Sequence, residues 1–192
     1  VNYLNNEIII SRSGYTGEDG FEISIPNQIV EKFVVNLLGN SNIKLCGLGS
    51  RDSLRIEAGL SLYGNELTEK ITPIEANLTW SIHKSRLNDE KLNGNDIINK
   101  QLNPGVKNIK IGLQSKSKSM LRANTKLFDQ DKKQIGYITS GTFSPILNTS
   151  IAIAYIDKSK INNKIFVLIR ENWSELSIVS LPFIQNRYKR GG

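Results

Sequence analysis

The stretch SRSGYTGEDGFEIS, residues 11–24, sets three carboxylates among three glycines and is the first place where chemistry could occur. Glu18 and Asp19 lie in its glycine-rich part, whereas Glu22 lies between two apolar residues at the start of an alternating pattern. Such alternation is typical of a half-buried strand. If Phe21 and Ile23 belong to the core, the side chain of Glu22 lies on the opposite face. Taken alone, the pattern favours a solvated strand residue, with a ligand-binding carboxylate as the alternative.

A second group of charged residues follows the segment Gly-Leu-Gly at residues 47–49. It contains Arg51, Asp52, Arg55 and Glu57, whose spacing allows acids and bases to pair on a helix surface. Arg51 differs from the others because it lies where a loop meets a helix. A guanidinium in that position can bind a carboxylate through two parallel hydrogen bonds. The spacing leaves both interpretations open.

Metal sites and hydrolase triads have little support in the sequence. His83 is the only histidine and Cys46 the only cysteine, so neither a cysteine-based metal site nor a disulfide framework is predicted. A Ser-His-Asp triad would require His83 itself as the base, and we predict a structural or surface histidine instead. The apolar neighbours of Cys46 predict a buried thiol. The glycines of residues 14–20 lack the following lysine–serine pair of a phosphate-binding loop.

The net charge of +7 is spread over the chain rather than gathered on one motif. Basic residues are dense only at residues 107–122 and 187–190, and aromatic residues, 7% of the total, show no stacking interval. This pattern favours a solvated surface or an anionic ligand over a nucleic acid. An RNA-binding barrel over residues 109–190 is the weaker alternative. Apolar runs are too short to cross a bilayer, and no targeting leader is visible, so no membrane partner is predicted.

The first part of the chain is predicted to hold the charged residues on a hairpin and on helices. Glycines between the two strands supply the backbone freedom that a β–β connection of this length requires. Apolar spacing and capping residues indicate where the helices begin and end. The predicted elements are strands over residues 7–12 and 21–25, a helix over 27–38, a helix opening at 49 with Ser50 or Asp52 as its cap, and an element starting at 72–76 with Pro73 in its first turn.

The second part of the chain has a different pattern, that of short strands separated by turn residues. A polar, turn-rich segment over residues 88–108 precedes it and ends in Asn-Pro-Gly, so we place a domain boundary at about residue 108. Recurrent short strands predict a small antiparallel barrel or sandwich, which makes the fold class α+β. The predicted strands cover residues 109–113, 126–128, 135–139, 151–156, 164–169 and 176–181.

Several long motifs occur in a fixed order: the opening stretch, GLGSRDSLRIEAGLSLYGNEL, TPIEANLTW, IGYITSGTFSPILNTSIAIAYI and a final LPF. Together they resemble the aminomethyltransferase family, the T-protein of the glycine cleavage system, from about residue 8 to residue 183. The resemblance implies a folate-binding α/β region followed by a small antiparallel β-barrel. Residues 1–108 would be the C-terminal portion of the folate-binding domain, and residues 109–192 the C-terminal barrel domain.

The resemblance also implies a reaction, a co-substrate and a partner. The family takes an aminomethyl group from the lipoyl arm of the H-protein and transfers its methylene carbon to tetrahydrofolate. Ammonia is released and the dihydrolipoyl arm remains. Folate N5 attacks the methylene carbon as the thiol leaves, so the protein mainly positions the pterin and sets the local charge. No metal is implied.

Four residues match family positions at the folate site. Glu22 would accept hydrogen bonds from the pterin ring, and Arg51 matches a second position beside it. Arg122 matches an arginine near the glutamate tail of folate, and Tyr188 matches a ligand-contacting tyrosine near the C-terminus. Arginine and tyrosine donors at a domain edge suit a polyanionic tail.

The family's proteins are about twice as long, and this chain resembles only their second half. The catalytic aspartate of the family belongs to the first half, so no catalytic residue is assigned here. Leu-Asn-Gly at residues 92–94 replaces the family's aromatic-Ile-Gly. Three origins of such a chain stand as alternatives: a fragment, a split-gene product and a degraded paralogue. The alternative function is a non-catalytic folate-binding or scaffolding module. We expect that a half-site leaves apolar walls of the pocket exposed, so that the chain is poorly soluble or dimerises. The expected compartment is a bacterial cytoplasm, with a mitochondrial matrix as the alternative.

Overall fold

The computed structural model describes residues 1–87, 89–117 and 119–189. Its first part consists of two small antiparallel hairpins, three α-helices and two short 3-10 helices. The first hairpin pairs β1 with β2, and the second pairs β3 with β4, with Ser11 opposite Glu22. The elements are β1 (Asn2–Tyr3), β2 (Asn6–Glu7), β3 (Ile9–Ser11), β4 (Glu22–Ser24), α1 (Asn27–Leu38), α2 (Leu48–Glu57), 3-10 helices at Thr79–Ser81 and Lys84–Arg86, and α3 (Asn95–Leu102).

The second part is a closed six-stranded barrel in which every pair of neighbouring strands is antiparallel. Around the barrel the strands follow the order β10-β5-β8-β7-β6-β9. Closure leaves no sheet edge free to pair with another chain. The elements are β5 (Asn108–Ser115), β6 (Lys126–Phe128), β7 (Gln134–Ser144), β8 (Thr149–Asp157), a 3-10 helix (Lys158–Lys160), β9 (Ile165–Ile169) and β10 (Asn172–Val179).

Strand β8 is buried on both faces, and this joins the two parts of the molecule. Its residues Ala152 and Ala154 belong to the barrel core, which also contains the fully buried Leu113. Its residues Ile151 and Ile153 alternate to the outside, as the period of a strand requires, and pack against Ile56 of α2. Helix α2 is therefore held on the outer wall of the barrel by a second apolar cluster.

The α+β class with a C-terminal barrel is confirmed. Each of the six strands predicted for the second part of the chain overlaps an observed barrel strand. Helix α1 has the bounds that its apolar spacing predicts. The predicted caps of α2 are wrong: the helix begins at Leu48 after Gly47 and has no side-chain cap. Asp52 is instead directed along the helix toward Arg55.

The segment 72–76 forms one helical turn closed by a capping box rather than a longer helix. Its Thr72 hydroxyl accepts from the amide of Glu75 at 3.2 Å, and a Glu75 carboxylate oxygen accepts from the amide of Thr72 at 3.0 Å. Pro73 lies in the first turn, as expected. The element thus has a helix start without the length of a helix.

Apolar residues of the first part are exposed where their spacing predicts burial. No residue of α1 is buried, and Phe21 and Ile23 are 63% and 37% exposed, so Glu22 does not lie opposite a core face. The prediction of a buried Cys46 is also wrong. Its neighbour Leu45 is itself 74% exposed, because the described part of the chain has no element that packs over this segment. His83 is exposed, as a surface histidine should be.

Candidate functional site

The connection between β3 and β4, residues 12–21, is a loop held by an ion pair and by a close contact with α2. Arg12 binds the carboxylate of Asp19 through two hydrogen bonds of 2.9 and 2.6 Å. This ion pair lowers the pKa of Asp19, chiefly through the hydrogen bond from Arg12. Gly17 has a φ of +78°, and a Cβ there would lie 2.8 Å from that of Ala58. Only glycine therefore allows the loop to approach the end of α2 so closely.

The C-terminal segment binds the same loop from the other side. The amide of Arg187 donates to the carbonyl of Gly17 at 2.7 Å, and its guanidinium forms an ion pair with Glu18. Tyr188 follows directly and is half-buried. Both turn acids, Glu18 and Asp19, are thus engaged in holding the loop, which leaves Glu22 as the carboxylate available to a ligand.

Glu22 is exposed and oriented by a hydroxyl group. Ser13 donates a 2.7 Å hydrogen bond to one carboxylate oxygen, Oε2, and lies 3.0 Å from the hydroxyl of Ser11. Within the described part of the chain, the other oxygen, Oε1, has no hydrogen-bond partner. A carboxylate held in this way can accept a further hydrogen bond from a planar donor such as an amino-substituted heterocycle.

Arg51 meets the glycine-rich loop through an aromatic ring. Its guanidinium carbon lies 4.8 Å from the ring centre of Tyr15, within the range of a cation–π contact. The Tyr15 hydroxyl donates to the carbonyl of Ser61 at 2.6 Å, which fixes the ring. Burial raises the pKa of Tyr15, so the ring stays neutral beneath the guanidinium. Three of the four predicted residues, Glu22, Arg51 and Tyr188, therefore lie on or beside one loop.

Arg122 lies outside the glycine-rich loop, in the segment between β5 and β6. It is exposed, follows β5, and lines an open pocket of about 510 Å³ together with Thr125, Leu168 and Arg170. Within the described ranges no hydrogen bond or ion pair of its side chain joins it to the glycine-rich loop.

Two residues of α2 interpreted as surface partners are in fact buried, on the side of the helix that faces the barrel. Arg55 is 1% exposed and donates to Glu66, at 2.8 Å, and to Ser140 of the barrel, at 2.6 Å. Glu57 is 4% exposed and accepts from Ser144. Only the pair between Arg55 and Asp52 fits the predicted surface pairing. The partners lie far away in the sequence, so helical spacing alone could not reveal this network.

A cavity of about 580 Å³ lies between the two parts of the chain, and no sequence pattern predicts it. Most of its walls are aliphatic, Trp80 stands at its edge with 80% of the residue exposed, and Tyr15 contributes from the glycine-rich loop. Lys110 of β5 is 5% exposed and donates to the hydroxyl of Ser61 at 2.8 Å. Burial lowers the pKa of this lysine, partly offset by the charge of Glu66.

Among residues 1–87, 89–117 and 119–189, no group of three or more histidine, cysteine, aspartate or glutamate side chains could hold a metal ion. No helix in those ranges is long and apolar enough to cross a membrane.

Comparison with known proteins gives matches over most of the chain. Residues 1–86 match the family model of the GCVT N-terminal domain, and residues 109–185 match that of the Glycine cleavage T-protein C-terminal barrel domain. The mitochondrial aminomethyltransferase of Pisum sativum is 43% identical over 95% of this chain and 46% of its own length. That of Saccharomyces cerevisiae is 42% identical over 93% and 47%.

A solved structure gives the same match in three dimensions. The crystal structure of glycine cleavage system aminomethyltransferase T from Bartonella henselae has a TM-score of 0.90 and 38% identity over 95% of this chain. The match covers 51% of that chain. The chain thus spans about half the length of the curated relatives it matches.

Proposed function

Because the chain belongs to the aminomethyltransferase family of the glycine cleavage system, we propose that it is the second half of a tetrahydrofolate-dependent aminomethyltransferase and carries part of its folate site. The family uses tetrahydrofolate as a substrate. In this proposal the chain works with the polypeptide that fills the other half of the relatives' length. Together they hold tetrahydrofolate against the aminomethyl-lipoyl arm of the H-protein, so that the methylene carbon passes to folate N5 while ammonia and the dihydrolipoyl arm are released. The observation that carries the proposal is the 0.90 TM-score over 95% of the chain.

The geometry of the glycine-rich loop supports Glu22 and Arg51 as pterin contacts. Glu22 has one carboxylate oxygen held by Ser13 and the other open, which suits the paired donors of a pterin ring. Arg51 is fixed by its contact with Tyr15, so its remaining donors have a defined direction. These residues bind and orient, and together they bring a negative and a positive group to one edge of the loop.

Tyr188 and Arg122 are proposed as contacts to the rest of the folate molecule. Tyr188 is supported by its position directly after Arg187, which binds the glycine-rich loop. Arg122 is supported by its exposed guanidinium and by a neighbouring arginine, Arg170, in the same pocket. A flexible polyanionic tail is the part of folate that such a basic pocket would attract. The domain division at about residue 108 is part of the same proposal.

The names of two relatives bear on the compartment. The relatives from pea and yeast carry mitochondrial names, and this supports the matrix, the alternative to the bacterial cytoplasm that composition suggests.

Tetrahydrofolate titration of the chain, followed by calorimetry, tests the two loop residues. We expect Glu22→Gln and Arg51→Ala each to weaken binding by about 10- to 100-fold, since a hydrogen bond to a charged group contributes about 1.5–3 kcal/mol. Glu31→Gln and Arg86→Ala, exposed positions on α1 and a 3-10 helix, are the matched controls. If both loop variants bind tetrahydrofolate as well as the parent chain does, the assignments are wrong. Binding without ammonia release in the full reaction would favour the non-catalytic module.

The exposed apolar residues of the first part lead to a further prediction. We expect the chain to self-associate alone and to form a 1:1 complex with a polypeptide spanning the first half of the Bartonella henselae enzyme, because such a partner would cover α1. Val35→Ser should weaken the complex at least tenfold, whereas Ile146→Ser in the β7–β8 turn should not, although both residues are 61% exposed. Light scattering and analytical ultracentrifugation measure both states. A chain that is monomeric alone and unaffected by Val35→Ser contradicts the prediction.

A further inference from the structure

Lys110 is a buried cation without a counter-ion at the wall of the large cavity. Its backbone is fixed on both sides, since its amide donates to the carbonyl of Glu75 at 3.0 Å and its carbonyl accepts from the side chain of Asn77 at 2.8 Å. Its ammonium group donates to the Ser61 hydroxyl, yet an ammonium group has three donors. Within the described ranges Lys110 forms no ion pair within 4 Å, and the charge of nearby Glu66 is shared with Arg55, which binds its Oε2 at 2.8 Å. A buried charge with unused donors is costly unless a ligand satisfies it.

The rest of the cavity is a poor partner for a charge and a good one for an aliphatic chain. Lys110 is the single charged side chain among its described lining residues. The volume of about 580 Å³ falls in the range of small-molecule sites. Aliphatic side chains from both parts of the molecule form the walls, among them Leu60, Leu78, Ile109, Ile161, Ile178 and Leu181.

We propose that this cavity binds an aliphatic chain that ends in a carboxylate, with the carboxylate at Lys110. The Ser61 hydroxyl accepts from Lys110, so its own proton is free to donate to the same carboxylate. The two groups thus offer adjacent donors to the two oxygens of one acid, a charge-assisted pair. The site goes beyond the proposed function, since its residues include neither Glu22 nor Arg51 and its ligand need not contain a pterin.

The test compares three ligands of equal chain length and different head groups. Calorimetric titration of the full chain, without folate, is carried out with octanoate, octanamide and octylamine. We expect octanoate to bind at least tenfold more tightly than octanamide and octylamine not to bind, because the head group meets a cation. Equal affinity of the three ligands, or no binding of octanoate at millimolar concentration, would overturn the proposal.

Two variants locate the binding at Lys110. We expect Lys110→Met to abolish the preference for octanoate over octanamide and Ser61→Ala to reduce it severalfold. Lys116→Met is the matched control, because Lys116 is exposed and pairs with Glu175 on the barrel surface. If Lys110→Met keeps the preference, the site is wrong. Should that variant fail to fold, Ser61→Ala and the comparison of head groups on the parent chain still decide the question.

Discussion

Replacing Arg55 by methionine is expected to lower the free energy of unfolding by about 3–5 kcal/mol, the usual cost of breaking a buried ion pair from one side. Arg55 is 1% exposed and Glu66 is fully buried, so the substitution leaves a carboxylate without its counter-ion inside the protein. The amide of Leu62, which donates to Glu66 at 2.9 Å, would be its one remaining partner among the described residues. The hydroxyl of Ser140 would lose its donor from Arg55 as well.

Urea unfolding of the parent chain and of each variant measures this effect. Arg86→Met is the matched control: Arg86 pairs with Asp89 on the surface, and such pairs contribute only a few tenths of a kcal/mol. The double variant Arg55→Met/Glu66→Met should recover part of the loss, since a buried pair replaced by apolar side chains is often tolerated. A loss below 1 kcal/mol for Arg55→Met would mean that the carboxylate is compensated in another way.

The barrel could be predicted from the sequence because its signals are local. Each of its strands either alternates apolar and polar residues or is apolar over a few residues, and each ends at turn residues. These two local features predict where each strand begins and ends. The bounds of α1 follow from spacing in the same way. Local sequence patterns predict an element well when its conformation depends mainly on residues within that element.

Burial could not be predicted in the same way, because it depends on partners distant in the sequence. Arg55 and Glu57 resemble surface residues of a helix, yet each is buried through a serine of β7, Ser140 or Ser144. The opposite error occurs at Cys46, where apolar neighbours suggest a core that the described chain does not provide. Both errors have the same cause: the sequence specifies the face of an element but not what covers it.

The candidate site has some features that local sequence patterns predict and others that depend on contacts with residues elsewhere in the chain. Strand alternation predicts a core face opposite Glu22, which the exposed Phe21 and Ile23 do not form. The ion pairs of Glu18 and Asp19 are what distinguish these turn acids from Glu22. Its pairing with Ser13 and the contact of Arg51 with Tyr15 could not be inferred, since both depend on the path of the glycine-rich loop. Family motifs therefore suggest candidate residues, whereas the structure shows that Ser13 and Tyr15 of one loop contact Glu22 and Arg51.

Gly136→Ala is expected to destabilise the barrel by about 3 kcal/mol or more, because strands β7 and β8 leave no room for a Cβ. An added Cβ would lie 2.1 Å from the carbonyl oxygen of Tyr155 and 2.9 Å from Cα of Ile156, both of them backbone atoms. A flexible side chain could move aside, but here two paired strands would have to separate. In a closed barrel such a shift must be shared by the neighbouring strands, which raises its cost.

A series of glycine variants separates this crowding from the general effect of replacing glycine. Gly141→Ala should also be harmful, since its Cβ would lie 2.5 Å from the carbonyl of Leu121. Gly14→Ala should be neutral or slightly stabilising, because its Cβ would meet no atom within 4 Å and alanine restricts the unfolded chain. Urea midpoints should therefore fall for the two barrel variants and not for the loop variant. Equal midpoints for Gly136→Ala and Gly14→Ala would show that β7 and β8 separate easily, which the closure of the barrel argues against.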